Sequence, residues 1–168
     1  MPRKKKTAIA IDPNEQLLNA IVKGVQDKKG KDLITIDLRN LDSRVCDFFV
    51  ICHGDSTTQV SAIGGNVEVE VKKQTGEKAW HFEGYQNSEW VLIDYVNIVV
   101  HVFLNEMRDF YNLEKLWADG IVTRYEDTPE QPKLKVVRSK TKGDSEELVV
   151  EATPIVKKPR TVKAKATL

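Results

Sequence analysis

Residues Trp90 to Trp117 read WVLIDYVNIVVHVFLNEMRDFYNLEKLW, and the fold turns on this stretch. Trp90 to Tyr95 and Ile98 to Leu104 are apolar, β-branched runs on either side of Val96 and Asn97, the pattern of a β-hairpin. Asn105 then serves as N-cap for a helix in which Leu104, Met107, Phe110 and Tyr111 share one side. Asn112 caps a final turn holding Leu116 and Trp117 before Gly120. A two-residue hairpin loop favours positive φ at its centre, which Asn97 tolerates and β-branched Val96 does not, so a longer or bulged turn is expected. Asp94 and His101 lie inside apolar strands and Arg108 lies among aromatics. Polar groups in such surroundings cost free energy unless partnered, so each needs a structural or a functional role.

The chain before this stretch supplies the rest of a domain. Asp12 as N-cap, Pro13 at the first helical position and Glu15 in a capping box predict a helix to about Lys29, with Leu17, Leu18, Ile21, Val22 and Val25 on its apolar face and Gly30 as its left-handed exit. Asp32 to Leu38 alternates as a strand, and Cys46 to Cys52 (CDFFVIC) is the unbroken apolar run of a central strand covered on both faces. Ser56 and Gln59 open a second helix with a Val60, Ile63, Val67, Val71 stripe that stops at Gly76. Gly64 and Gly65 inside it cost about 1 kcal/mol each relative to alanine, and close packing against the sheet is the expected compensation. Lys78 to Phe82 alternates as a third strand. The order helix, strand, strand, helix, three strands, helix predicts an α/β domain with a mixed five-stranded sheet and flanking helices over 13–120.

Composition sets limits on partners. Residues 1–12 hold 4 basic and 1 acidic residue, residues 13–120 hold 11 and 17, and residues 121–168 hold 11 and 7, so segments of +3, −6 and +4 lie behind the net +1. An acidic body between a basic N-terminal extension and a basic tail suits a basic protein partner better than bare nucleic acid, while the tails can touch RNA. Beyond Gly120 the chain turns to Lys, Pro, Thr, Glu and Val without a sustained period, and a disordered tail over 121–168 is expected. Leu134 to Arg138 and Glu147 to Glu151 are β-prone and would pair only weakly. No apolar run approaches the roughly 20 residues that span a bilayer, which predicts a soluble, cytoplasmic protein. Cys46 and Cys52 are expected on one strand face about 20 Å apart, as buried free thiols.

No catalytic constellation assembles. Two-metal chemistry commonly uses an Asp-x-Asp on a strand, and the chain has none; Asp47 and Asp94 could approach across the sheet but lack a Gly-rich phosphate loop. His53, His81 and His101 are scattered without zinc-site spacing, and Ser56 lacks a nucleophile elbow. No catalytic residue, cofactor or metal site is assigned. The alternative is a recognition surface: Trp, Tyr and Arg dominate binding hot spots, and the hairpin and helix offer Trp90, Tyr95, Arg108, Tyr111 and Trp117. Trp90 shares a strand face with Asp94 and is the foremost candidate for a partly exposed anchor. Helical spacing places Met107, Phe110 and Tyr111 in the core.

The runs FFVICHGDSTTQV (48–60), FEGYQNSEWVLIDYVNIVVHVF (82–103) and RDFYNLEKLW (108–117) resemble the ribosomal silencing factor family, also called RsfS or Iojap. The likeness covers roughly Pro13 to Gly120 and rests on Glu83-Gly84, Trp90, Asp94, His101, Arg108, Tyr111 and Leu116-Trp117. It implies a nucleotidyltransferase-like α/β fold without catalytic carboxylates, and a binding protein in place of an enzyme. It further implies docking on the large ribosomal subunit through its ribosomal protein number fourteen, which keeps the small subunit from joining and represses translation when nutrients are scarce. Glu83, Trp90, Asp94, Tyr95, His101 and Arg108 are the partner-binding residues the resemblance suggests, with a homodimer as a possible free state and rRNA contact open to the basic tails. The chain departs from the family in carrying Val96-Asn97 where a Gly-Asp turn is common. The competing readings are an active nucleotidyltransferase using Asp47 or Asp94, and a large-subunit assembly factor using the same surface.

Overall fold

A computed structural model describes residues 12–126 and a two-residue strand at 135–136. Helix α1 (Pro13–Asp27) starts where the sequence predicts, with the Asp12 carboxylate accepting from Asn14 N at 3.0 Å. Its exit differs: Lys29, not Gly30, takes the positive φ. Gly30 is needed for space, since a Cβ there would lie 2.5 Å from Val25 Cγ1. Strands β1 (Lys31–Asp37) and β2 (Phe48–Gly54) follow, and β2 is buried along its whole length. Helix α2 (Thr57–Thr75) is capped by Ser56 and ends at Gly76 in the left-handed region. The Gln59 side chain accepts from Asp55 N and donates to the carbonyls of Lys28 and Lys29, so the start of α2 also closes the end of α1.

The remaining elements are β3 (His81–Glu83), β4 (Trp90–Asp94), β5 (Ile98–Leu104), α3 (Asn105–Tyr111), α4 (Leu113–Leu116), β6 (Ile121–Arg124) and β7 (Lys135–Val136). They form one mixed sheet in the order β3-β4-β5-β2-β1-β6-β7, with β2 and β5 parallel at its centre and the other pairs antiparallel. The sheet therefore has seven strands where five are expected. The two extra strands lie past Gly120, so the folded body continues through β6, and Tyr125 N bonds Leu33 O at 2.9 Å. The expectation of a disordered tail otherwise falls outside the described residues, as does the basic N-terminal extension before Asp12.

Each face of the sheet has its own core. On one, α1 and α2 pack on Leu33, Val50, Cys52, Val91, Ile93, Tyr95, Val100 and Val102. The two helices approach closely, because a Cβ on Gly24 would meet Val67 Cα at 2.8 Å. On the other face Ile34, Ile36, Leu38, Cys46, Phe49, Ile51 and Phe103 form a second core beneath Met107, Leu113 and Trp117. Cys46 and Cys52 are both buried free thiols, but they belong to opposite cores. The even spacing misleads here because β2 begins only at Phe48, so strand alternation does not reach Cys46. Burial pushes the two thiols up to about 11 and about 12.

Candidate functional site

Strand register lines up three rows of side chains on the second face. From the β3 edge inward they run His81, Asp94, Val99, Phe49; then Glu83, Leu92, His101, Ile51; and finally Trp90, Phe103, His53. In each row the residue nearest the β3 edge is the most exposed. In the middle row Glu83 is exposed, Leu92 half-buried, and His101 and Ile51 buried. The cause is the cover: α3, α4 and Trp117 lie over β2 and the inner side of β5, with Trp117 edge-on to Phe49 at 5.4 Å, and Tyr111 reaches Trp90 on β4, while Glu83 on β3 stays exposed and Leu92 on β4 half-buried. The bare half presents Trp90, Leu92 and Val99, rimmed by the carboxylates of Glu83 and Asp94.

Trp90 is held from three sides. Its ring stacks on Phe103 at 4.9 Å and meets Tyr111 at a tilt at 4.6 Å, and its indole nitrogen donates to His101 Nδ1 at 3.2 Å. Its backbone is fixed by Gly84, which has φ +90° and approaches so closely that a Cβ would fall 1.8 Å from the Trp90 carbonyl oxygen. Only glycine meets both conditions. Asp94 shapes the hairpin end by accepting from Val96 N at 2.6 Å. Val96 takes φ +73° inside a three-residue turn in which Asn97 N bonds Tyr95 O. The turn is thus tighter than the longer or bulged one expected, and it holds a β-branched residue where such residues are strained.

The six residues taken from the resemblance do not form one surface. Glu83, Trp90 and Asp94 share the open face. His101 lies behind Trp90 at 5 % exposure, and burial lowers its pKa to about 4, so its ring is neutral. Tyr95 is 6 % exposed on the opposite face, among the residues under α1 and α2, because it is one residue out of phase with Asp94. Arg108 is buried. Its guanidinium pairs with Glu114, reaches Lys31 O at 3.4 Å, and meets His53 Nδ1 at 2.9 Å. Arg108 can only donate, so His53 accepts through Nδ1 and carries its proton on Nε2. Burial and then the Arg108 charge lower the His53 pKa. Arg108 thus ties α3 and α4 to the ends of β1 and β2.

The helical core prediction also needs correction. Met107 packs on the second core, but Phe110 is 78 % exposed and Tyr111 46 %, with the two rings edge to face at 5.1 Å. Helix α3 has only seven residues and turns Met107 and Arg108 inward, which leaves Phe110 and Tyr111 on the outside, with Tyr111 beside Trp90. Leu92 and Val99 lie half-buried on the same open face, and the sequence reading does not single them out. The alternation that groups Trp90 with Asp94 places Leu92 between them on the same face and was the available signal. Asp47 pairs with Arg44 at 3.5 Å and accepts from Asn14 at 3.5 Å.

Residues 11–153 match the family model described as "Ribosomal silencing factor during starvation". The chain belongs to the ribosomal silencing factor family. It is 42 % identical over 107 residues to the ribosomal silencing factor RsfS of Halalkalibacterium halodurans, covering 64 % of this chain and 90 % of that protein. To the RsfS of Bacillus subtilis it is 37 % identical over 106 residues, covering 63 % and 88 %. A crystal structure of a protein from Chromobacterium violaceum superposes with a TM-score of 0.59 at 32 % identity, covering 77 % of this chain and 98 % of that one. The silencing factor is therefore the class of protein into which the open sheet face has to be fitted. Among the described residues no helix is long and apolar enough to cross a membrane.

Proposed function

We propose that this silencing factor docks on the large ribosomal subunit, at ribosomal protein number fourteen, and blocks the small subunit from joining, so that translation falls when nutrients are limiting. The observation that carries this reading is the bare half of the second face. Trp90, Leu92 and Val99 offer an apolar centre, and Glu83 and Asp94 offer negative charge at its rim. An apolar centre with a polar rim is the anatomy of a protein interface, and the anionic rim favours a basic partner such as a ribosomal protein. The protein acts by binding, in the cytoplasm, without catalysis. Its basic terminal segments add rRNA contacts, and the free protein pairs with a second copy.

The test is order of addition. Purified protein mixed with large subunits before small subunits should lower the yield of joined ribosomes in a sucrose gradient, and should itself sediment with the large subunit. A full yield of joined ribosomes under saturating protein would refute the blocking role.

A further inference from the structure

Trp90 and His101 stand diagonally across the β4–β5 ladder, since Trp90 pairs with Phe103 and His101 lies two residues before it. Diagonal neighbours are within reach of aromatic side chains, and here the indole leans along the strand until its N–H meets His101 Nδ1 at 3.2 Å. His101 has no freedom to follow a moving partner. Phe49 meets it edge-on at 5.0 Å, Phe103 lies nearly parallel to it at 6.1 Å, and the Trp90 ring covers it at 5.8 Å. Because Nδ1 accepts, the neutral ring carries its proton on Nε2, and that buried nitrogen has no hydrogen-bond partner among the described residues. A buried unpartnered donor is costly, so this ring is not held for its own hydrogen bonding. A phenylalanine would fill the same space without that cost.

We propose that His101 is a positioning residue: it locks the Trp90 indole in one orientation and takes up its only donor, so that Trp90 presents a purely apolar edge to an apolar pocket on the docked protein. This rests on the docking face proposed above. The partner chemistry follows from the bond itself. With Nε1–H turned inward, Trp90 has no polar group left for the partner, and recognition by this side chain is by shape and apolar contact. Fixing the ring before binding also removes the entropy that a free indole would lose on docking.

The test uses the full chain and purified large ribosomal subunits. His101→Phe and His101→Leu remove the acceptor and keep an apolar filling, while His101→Asn restores an oxygen near the place of Nδ1. Three tryptophans give three indole N–H resonances, and Trp90→Phe identifies the one that matters. In His101→Phe or His101→Leu that resonance should shift and exchange faster with solvent, and affinity for the large subunit should fall about tenfold. His101→Asn should recover most of both. An unmoved resonance in both apolar variants would overturn the proposal, as would unchanged affinity in variants whose resonance has moved. If Trp90→Ala itself binds as the parent protein does, the docking face fails and this inference with it. If Trp90→Ala binds weakly and both apolar His101 variants bind normally, the inference alone fails.

Discussion

Arg108 and His53 meet 2.9 Å apart inside the protein, and this contact joins the helical cover of the sheet to the end of its central strand. The same guanidinium pairs with Glu114 on α4 and reaches the Lys31 carbonyl on β1. One side chain therefore fixes where α3 and α4 lie, and so how much of the second face they leave bare. The extent of the open sheet face is a consequence of that placement.

Replacing Arg108 should accordingly unsettle the fold more than the contact surface. Arg108→Ala leaves Glu114 and His53 without their partner in a largely buried place, and should cost about 3 kcal/mol in urea unfolding. Arg108→Lys should recover little, since an ammonium lacks the planar fork that serves several acceptors at once. A loss below about 1 kcal/mol for Arg108→Ala would show that the network does not hold the cover in place.

His101 makes stability depend on pH. The unfolded side chain takes up a proton near pH 6.5 and the folded one only near about 4, so between those values unfolding binds a proton. The contribution is whole above pH 6.5 and shrinks as pH falls toward 4, by roughly 3 kcal/mol at most. His53, also lowered, acts in the same direction. Urea midpoints at pH 7 and pH 4.5 should differ less in His101→Phe than in the parent protein, and equal differences would contradict this.

The adjacent glycines of α2 should respond oppositely to alanine. Gly65 has open space where a Cβ would go, so Gly65→Ala should stabilise the protein by about 1 kcal/mol through helix propensity alone. At Gly64 a Cβ would lie 2.6 Å from the Tyr85 hydroxyl, which itself bonds Glu68. Gly64→Ala should therefore destabilise, as Tyr85 is pushed from Glu68. Thermal unfolding of both variants checks the pair, and stabilisation by Gly64→Ala would contradict the assigned packing.

Truncation tests whether the folded body extends past Gly120. Ending the chain after Gly120 removes β6, leaves β1 as an unpaired edge, and strips Val122 and Tyr125 from the two cores. That chain should unfold at markedly lower urea than one ending after Glu126. Equal midpoints would restore Gly120 as the boundary.

Much of this fold can be read in the chain because its signals are local. Asp12 with Pro13, and Ser56 with Gly76, mark the two long helices by chemistry that acts within a few residues. What escapes reading depends on distant partners. Ile121 to Arg124 is too short to announce a strand and becomes one only against β1. Cys46 breaks the expected alternation because its strand starts two residues later, and Phe110 looks like core until Arg108 turns the helix. For the docking face, Trp90 and Asp94 are legible from strand parity, and the same parity argues against Tyr95. His101 and Arg108 are polar residues in apolar company, and sequence alone does not separate a contact from a support. Burial does.

We propose above that the large ribosomal subunit is held at the open face around Trp90. The most direct test is the affinity of folded Trp90→Ala for purified large subunits, measured by co-sedimentation beside an exposed-site control on the far side of α2, Val69→Ala. Trp90→Ala should lose about 2 kcal/mol or more, roughly 30-fold, and the control nothing. Unchanged affinity in folded Trp90→Ala would contradict it.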